Sequence, residues 1–300
     1  MRPAALVVHE VSVPYVRNVL AALHATLRET LDPDARMLAC ASVDEAPVEP
    51  GSVVLIVGEN LGRFRRRPGC TYAFVNFSVV RLLGNPFAVS LDGLRLIRRK
   101  ARLLREKLDL IDAVIDYYPA QTRGLAARLP RPVFGFVPWV DPSETEALEP
   151  EERPFDLCFV GGLSPRRQAV LERLKSAGLR LSPAAGIDLE TAASRSRVTL
   201  NLHMQRSNHL EIPRVMGAMA AGSFVVTERS HGLGDLVPAG LVKSAPYRRV
   251  ADAVLRALDD RQALERRARA SGEWYRATCV PAAREAFAAT LDRVAALRPA

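Results

Sequence analysis

The sequence predicts an α/β protein made of two consecutive parallel-sheet halves. Three observations carry this. Short apolar runs of strand length alternate with helical stretches along the 300 residues. A stretch at 137–155, with four prolines and six acidic residues, has neither period. The alternation then restarts at Phe155. The length suits one large domain or two of roughly 150 residues.

In the front half "AALVVHE" reads as a buried strand and "PYVRNVLAALHATLRETL" as a helix. "RMLACASV", "SVVLIVGE" and "CTYAFVNF" follow as strands, and an amphipathic helix covers about 92–108. "LIDAVIDYY" and "PVFGFVPW" are two more strands, separated by a short helix at "QTRGLAARL". The proline spacing of 137–155 suits a semi-rigid, extended hinge. In the back half "FDLCFVGG" is a strand entering a Gly-Gly turn, and "SPRRQAVLERLKSAG" a helix with a serine N-cap and a terminal glycine. "RVTLNLH", "SFVVTE" and "GLVKSA" are strands; residues from Tyr247 onward read as helices, closing with "PAAREAFAATLDRVAAL". The predicted boundaries are a first domain at 1–140, a linker at 141–154, a second domain at 155–275 and a final helix at 276–300 that packs back on the first. Two such halves enclose a cleft, a common place for ligands.

Composition narrows the function. No apolar run reaches the roughly 18–20 residues of a membrane span. The start "MRPAALVVHEVSVPY" mimics a signal peptide only weakly, because His9 and Glu10 interrupt its short apolar run. Cys40, Cys70, Cys158 and Cys279 show no metal-type pairing, which fits a reducing, cytoplasmic home. The formal charge of +9 comes mainly from arginine and concentrates in 63–67 and 95–107. Nucleic acid is disfavoured as a partner: neither a zinc finger nor an aromatic ribonucleoprotein motif accompanies the charge. The simplest reading is a solvated basic face; the alternative is peripheral contact of 63–67 and 95–107 with an anionic inner membrane.

The back half collects polar groups at one sheet edge, where ligands of open parallel sheets bind. Gly161 and Gly162 end one strand, His203 ends the next and Glu228 the third. A helix beginning near Pro213 places Glu211 and Arg214 on the same rim. The two glycines let a ligand approach the backbone, and the helix after them offers free N–H groups to a diphosphate. Arg166, Arg167 and Arg214 lie in first helical turns, where the helix dipole disfavours cations unless an anion compensates. His203 could donate to a sugar hydroxyl or phosphate.

Residues 155–270 resemble the donor domain of GT-B glycosyltransferases, closest to the group-1 type and its spore-maturation-protein-like relatives. "FDLCFVGGLSPRRQAVLERL" is similar to the opening strand–turn–helix of that domain, and "SRVTLNLHMQRSNHLEIPRVMGAMAAGSFVVTE" to its donor-site segment. The resemblance implies two Rossmann-like domains facing across a cleft. It implies that the second domain binds a nucleotide-sugar donor as co-substrate, with no other cofactor and no metal. The acceptor, on the first domain, stays open among glycans, lipid-linked, protein and small-molecule classes. By position Gly161, Gly162, Arg166 and Arg167 match the phosphate region, and His203 and Arg214 the donor-site helix. The family often carries at Gly217 a glutamate that holds the nucleoside ribose; here Glu211 or Glu228 would have to substitute. A base for the acceptor proton is expected at strand ends of the first half: His9 and Glu10, then Glu59, then Asp116. The rival expectations are a non-catalytic protein of the same fold and a polyanion binder.

Overall fold

The computed structural model describes residues 2–58, 60–85, 87, 89–144, 147–183 and 187–299. The chain forms two compact units. One comprises Met1–Leu82, Leu94–Pro138 and Ala282–Ala300; the other comprises Leu83–Gly93 and Trp139–Pro281.

The first unit holds a six-stranded parallel sheet: β1 (Ala4–His9), β2 (Arg36–Cys40), β3 (Val53–Val57), β4 (Thr71–Asn76), β5 (Ala113–Asp116) and β6 (Val133–Gly135). Their order is β2-β1-β3-β4-β5-β6. The inner strands read as unbroken apolar runs because helices cover both faces of such a sheet. Every residue of β3 and β4 is buried. The helices are α1 (Val13–Thr30), α2 (Leu91–Arg105) and α3 (Pro119–Ala126). The direction of strand succession reverses between β1 and β3, which makes their carboxyl ends the unit's natural ligand edge. His9 sits there, its Nδ1 accepting the Val11 N–H at 3.2 Å, and Glu10 is exposed beside it. Gly58 follows β3 at φ +102°; a Cβ there would lie 3.1 Å from Ser12 Oγ and 3.8 Å from His9 Cβ, so glycine lets the two strand ends close up. Glu59 lies outside the described residues.

The basic run 63–67 has structural employment. Arg63 donates to Asp109 and to the Glu106 carbonyl, Arg66 to Asp112 and the Leu110 carbonyl, and Arg67 to the Ala46 and Val48 carbonyls. Arg63 and Arg65 are nonetheless exposed, and in α2 Arg98, Arg99, Arg102 and Arg105 face solvent as well.

Asp116, expected as a third candidate base, is fully buried. Its carboxylate accepts hydrogen bonds from Asn76 Nδ2 (2.7 Å), Gln121 Nε2 (2.8 Å) and Thr122 Oγ1 (2.9 Å). It ties β4, β5 and α3 together and has no path to a substrate. Burial pushes its pKa up to about 6, against the pull of those hydrogen bonds. The folded protein therefore holds this proton more tightly than the unfolded chain does. The resulting stability is present below about pH 4 and is lost as pH rises through about 6, a change of about 3 kcal/mol. Asp116→Asn should flatten this part of the stability–pH curve, as measured by urea unfolding between those two pH values.

The second unit holds a four-stranded parallel sheet of order β10-β9-β8-β7: β7 (Phe155–Cys158), β8 (Ser196–Asn201), β9 (Phe224–Glu228) and β10 (Val242–Ala245). A parallel bridge from Leu157 to Leu181 extends it beyond β7, so strand succession reverses between β7 and β8. Its helices are α4 (Pro165–Ser176), α5 (Leu189–Ser194), α6 (Ile212–Ala220), α7 (Leu233–Leu236), α8 (Tyr247–Asp259) and α9 (Arg261–Trp274). A π turn at Tyr275–Cys279 leads into α10 (Val280–Ala295). From Ala282 onward the chain counts with the first unit: Phe287 packs on Phe136 at 5.4 Å, and Arg2 donates to the Ala295 carbonyl at 2.9 Å.

The semi-rigid hinge expected at 137–155 is anchored at several points among its described residues. Trp139, Val140, Pro150 and Arg153 are buried, and short 3-10 turns form at Pro142–Glu144 and Pro150–Glu152. Tyr275 Oη exchanges hydrogen bonds with the Val140 N–H and carbonyl. Among the described residues no helix is long and apolar enough to cross a membrane.

Candidate functional site

The switch point of the second unit is lined by cations. Gly161 leaves β7 at φ +140°, in a region that L side chains rarely adopt. A Cβ there would lie 2.9 Å from Arg214 Nη2 and 3.5 Å from Arg167 Nη1. Two guanidinium groups from different helices thus close on one stretch of bare backbone. Gly162 beside it faces Met204 Cε.

Arg167 comes from the first turn of α4, whose N-cap is Ser164; the Ser164 Oγ accepts the Arg167 N–H. The Arg167 side chain is buried and donates to the Leu202 carbonyl (3.0 Å), the Gly162 carbonyl (2.8 Å) and Glu211 (3.1 Å). Arg214, in the first turn of α6, pairs with Glu211 and donates to Asn201 Oδ1 at 2.8 Å. Arg166 forms a two-pronged pair with Glu228, donates to the His203 carbonyl at 3.1 Å and stacks 3.8 Å over the Tyr247 ring. Three cations therefore share two carboxylates.

That imbalance registers in the acid–base properties. Burial, followed by the neighbouring Arg166, pushes Arg167 down to about 10. Burial, followed by Arg167, pushes Arg214 down to about 9. Both stay protonated at neutral pH but under strain that a bound anion would relieve.

The structure brings Gly161, Gly162, Arg167, Glu211 and Arg214 together at the β7–β8 edge, with Arg166 and Glu228 adjoining. Three expectations are corrected. His203 is buried, with its ring nitrogens at 2.8 Å from the Ser207 carbonyl and 3.0 Å from Ser230 Oγ. Burial lowers its pKa, so it stays neutral and fastens two loops instead of reaching a ligand. Glu211 and Glu228 are committed to arginines, which leaves neither as a ready ribose acceptor.

Gly217 also gains an explanation that the sequence hides. A Cβ at Gly217 would come 2.3 Å from Glu190 Oε1 and 3.1 Å from a Leu189 methyl, both on α5. The carboxylate of Glu190 occupies the space where a side chain at 217 would begin. Gly217→Glu sets two carboxylates against each other in the α5–α6 seam and should cost about 2–3 kcal/mol in urea unfolding. Adding Glu190→Gly to that variant should recover most of the loss, because the two changes share one space.

Beside the cluster, over the ends of β9 and β10, lies a cavity of about 1230 Å³ that shares Arg166 and Glu228 with it. Among the described residues, no group of three or more His, Cys, Asp or Glu side chains could hold a metal ion.

No protein-family model matches the chain, and no curated protein does. Solved structures do. The sucrose-phosphate synthase of Thermosynechococcus elongatus aligns at TM-score 0.63 and 14% identity, over 98% of each chain. Anabaena HepE in complex with UDP-glucose aligns at 0.64 and 11% identity, over 97% of this chain and 99% of that one. A UDP-forming α,α-trehalose-phosphate synthase from Burkholderia xenovorans aligns at 0.60 and 11% identity, over 99% and 100%. These neighbours are GT-B glycosyltransferases. The chain has their fold, α/β with parallel sheets across nearly its whole length.

Proposed function

We propose that this protein is a glycosyltransferase that moves a sugar from a nucleotide-sugar donor to an acceptor. The observation that supports this most is the pair of guanidinium groups over Gly161, one buried and one half-buried, at the switch point of a parallel sheet in a fold shared with UDP-sugar-binding proteins. HepE is known with UDP-glucose, and with UDP and glucose, which suggests the donor class.

In this reading Gly161, Gly162 and the start of α4 receive the diphosphate. Arg167 and Arg214 neutralise the charge that grows on the leaving phosphate, a role that a metal ion fills in other transferases. The reaction is accordingly metal-independent, and EDTA leaves turnover unchanged. The first unit supplies the acceptor side. His9 is the candidate base: its Nδ1 accepts from the Val11 N–H, so in the neutral ring Nδ1 is the basic nitrogen, and an acceptor hydroxyl would have to take the place of that N–H. Glu10 and Glu59 are the alternatives. The spore-maturation-like subtype, a cytoplasmic location and peripheral contact of α2 with an anionic membrane belong to the same proposal. Cosedimentation with phosphatidylglycerol vesicles, lost when Arg98 and Arg102 become glutamate, tests the last.

The second reading, a non-catalytic nucleotide-sugar binder or partner of another enzyme, draws on Gly217 and on the commitment of both glutamates to arginines. Titration with UDP, GDP, ADP and TDP, followed by incubation with the sugar conjugate of whichever binds, separates the two. Release of free nucleotide that His9→Ala abolishes, with affinity intact, supports the transferase. Binding with no transfer or hydrolysis supports the second reading.

A further inference from the structure

The cavity over β9 and β10 differs from the Gly161 cluster in its makeup. It measures about 1230 Å³, larger than the roughly 300–1,000 Å³ of common ligand pockets. Five arginines line it against one carboxylate, Glu228, and that carboxylate is already paired with Arg166. Arg229 follows β9, and Arg248 and Arg249 sit in the first turn of α8; all three side chains are exposed and form no ion pair among the described residues. Placing two cations at the positive end of a helix costs stability unless an anion offsets it. A fold that needed only solubility had no reason to gather these charges around one hollow.

One wall is an aromatic ring. Phe87 is 82% exposed, an unusual state for a phenylalanine, yet its carbonyl and nearby residues are hydrogen-bonded. The Ser90 N–H donates to the Arg206 carbonyl at 2.8 Å, Arg206 donates back to the Phe87 carbonyl, and Asn208 Nδ2 donates to the Leu83 carbonyl at 2.7 Å. The Phe87 carbonyl is thus tied down at the rim of a cationic cavity, with its ring exposed there. Tyr247, which also lines the cavity, already has Arg166 stacked on its ring.

We propose that this cavity is a second anion site, adjoining the Gly161 cluster through Arg166 and Glu228, that binds a phosphorylated ring compound. Arg229, Arg248 and Arg249 take the phosphate, and Phe87 covers the ring. A sugar phosphate and a nucleoside monophosphate both meet that description, since a sugar's C–H face and a base both stack on an aromatic ring. The assignment does not depend on the donor reading, because none of these four residues belongs to the Gly161 cluster.

Calorimetric titration with glucose 6-phosphate and with AMP tests it, on the wild type and on the Arg248→Gln/Arg249→Gln and Phe87→Ala variants. The expected result is binding of at least one probe, weakened at least about tenfold by the arginine changes. Phe87→Ala should weaken the same probe about fivefold while leaving any binding of inorganic phosphate alone. The probe that shows both dependences identifies the source. Circular dichroism confirms that the exposed-residue variants are folded. Failure of both probes to bind at millimolar concentration, or binding unaffected by the arginine changes, overturns the proposal. Competition by sulfate as effective as by either probe overturns the ring component.

Discussion

Arg153→Ala should destabilise the second unit by about 3–5 kcal/mol, one of the largest losses available from a single polar side chain. Arg153 is buried and donates to three carbonyls, of Leu148 (3.0 Å), Ser196 (2.9 Å) and Ala221 (3.1 Å). Those acceptors belong to the approach to β7, to the start of β8 and to the end of α6. The last is a helix C-terminus, where a cation is favoured. The folded state accepts the cost of burying this charge, and burial pushes Arg153 down to about 10. Alanine removes that cost but leaves two buried carbonyls, of Ser196 and Ala221, and the half-buried one of Leu148 short of a donor. Hydrogen exchange should show protection lost first in α6 and β8. Arg153→Lys should recover only part, since one ammonium cannot span all three acceptors.

Gly161→Val should abolish nucleotide binding, with UDP affinity falling at least about a hundredfold, and cost about 2–4 kcal/mol in stability. Two effects combine. A β-branched residue is strained at φ +140°, and its Cβ would stand 2.9 Å from Arg214 Nη2. The valine methyls would fill the space between the two guanidinium groups that an anion is expected to enter. Gly161→Ala should show the same direction with a smaller effect. If instead Gly161→Val unfolds the unit outright, Arg214→Gln carries the binding test, because that change adds no volume.

The fold was largely readable in the sequence because buried parallel strands are written as continuous apolar runs. "VVLIV" and "TYAFVN" became β3 and β4 with every residue buried. The sequence also placed Gly161, Arg167, Glu211 and Arg214 on one rim, since strand ends and helix starts share an edge in such sheets. Short elements escaped. The six residues of α5, the four of α7 and the bridge at Leu181 carry too few periods to stand out. Long-range pairing was invisible as well. Arg63 and Asp109 are 46 residues apart, so the basic run 63–67 looked like a free surface when three of its four arginine side chains are hydrogen-bonded. The anchoring of the linker was invisible for the same reason: nothing local in "EERPF" says that Arg153 will find three carbonyls in the second unit. At Gly217 the sequence showed a missing carboxylate, and only the packing of α5 on α6 reveals that Glu190 fills the place.

The proposed function rests on the guanidinium pair over Gly161 acting as a diphosphate site. Calorimetric titration of UDP into the wild type and into Arg214→Gln addresses it directly. The account predicts wild-type binding at millimolar affinity or tighter, and a loss of at least about tenfold in the variant. No binding of UDP, GDP, ADP or TDP to the wild type, or equal binding by both proteins, would contradict it.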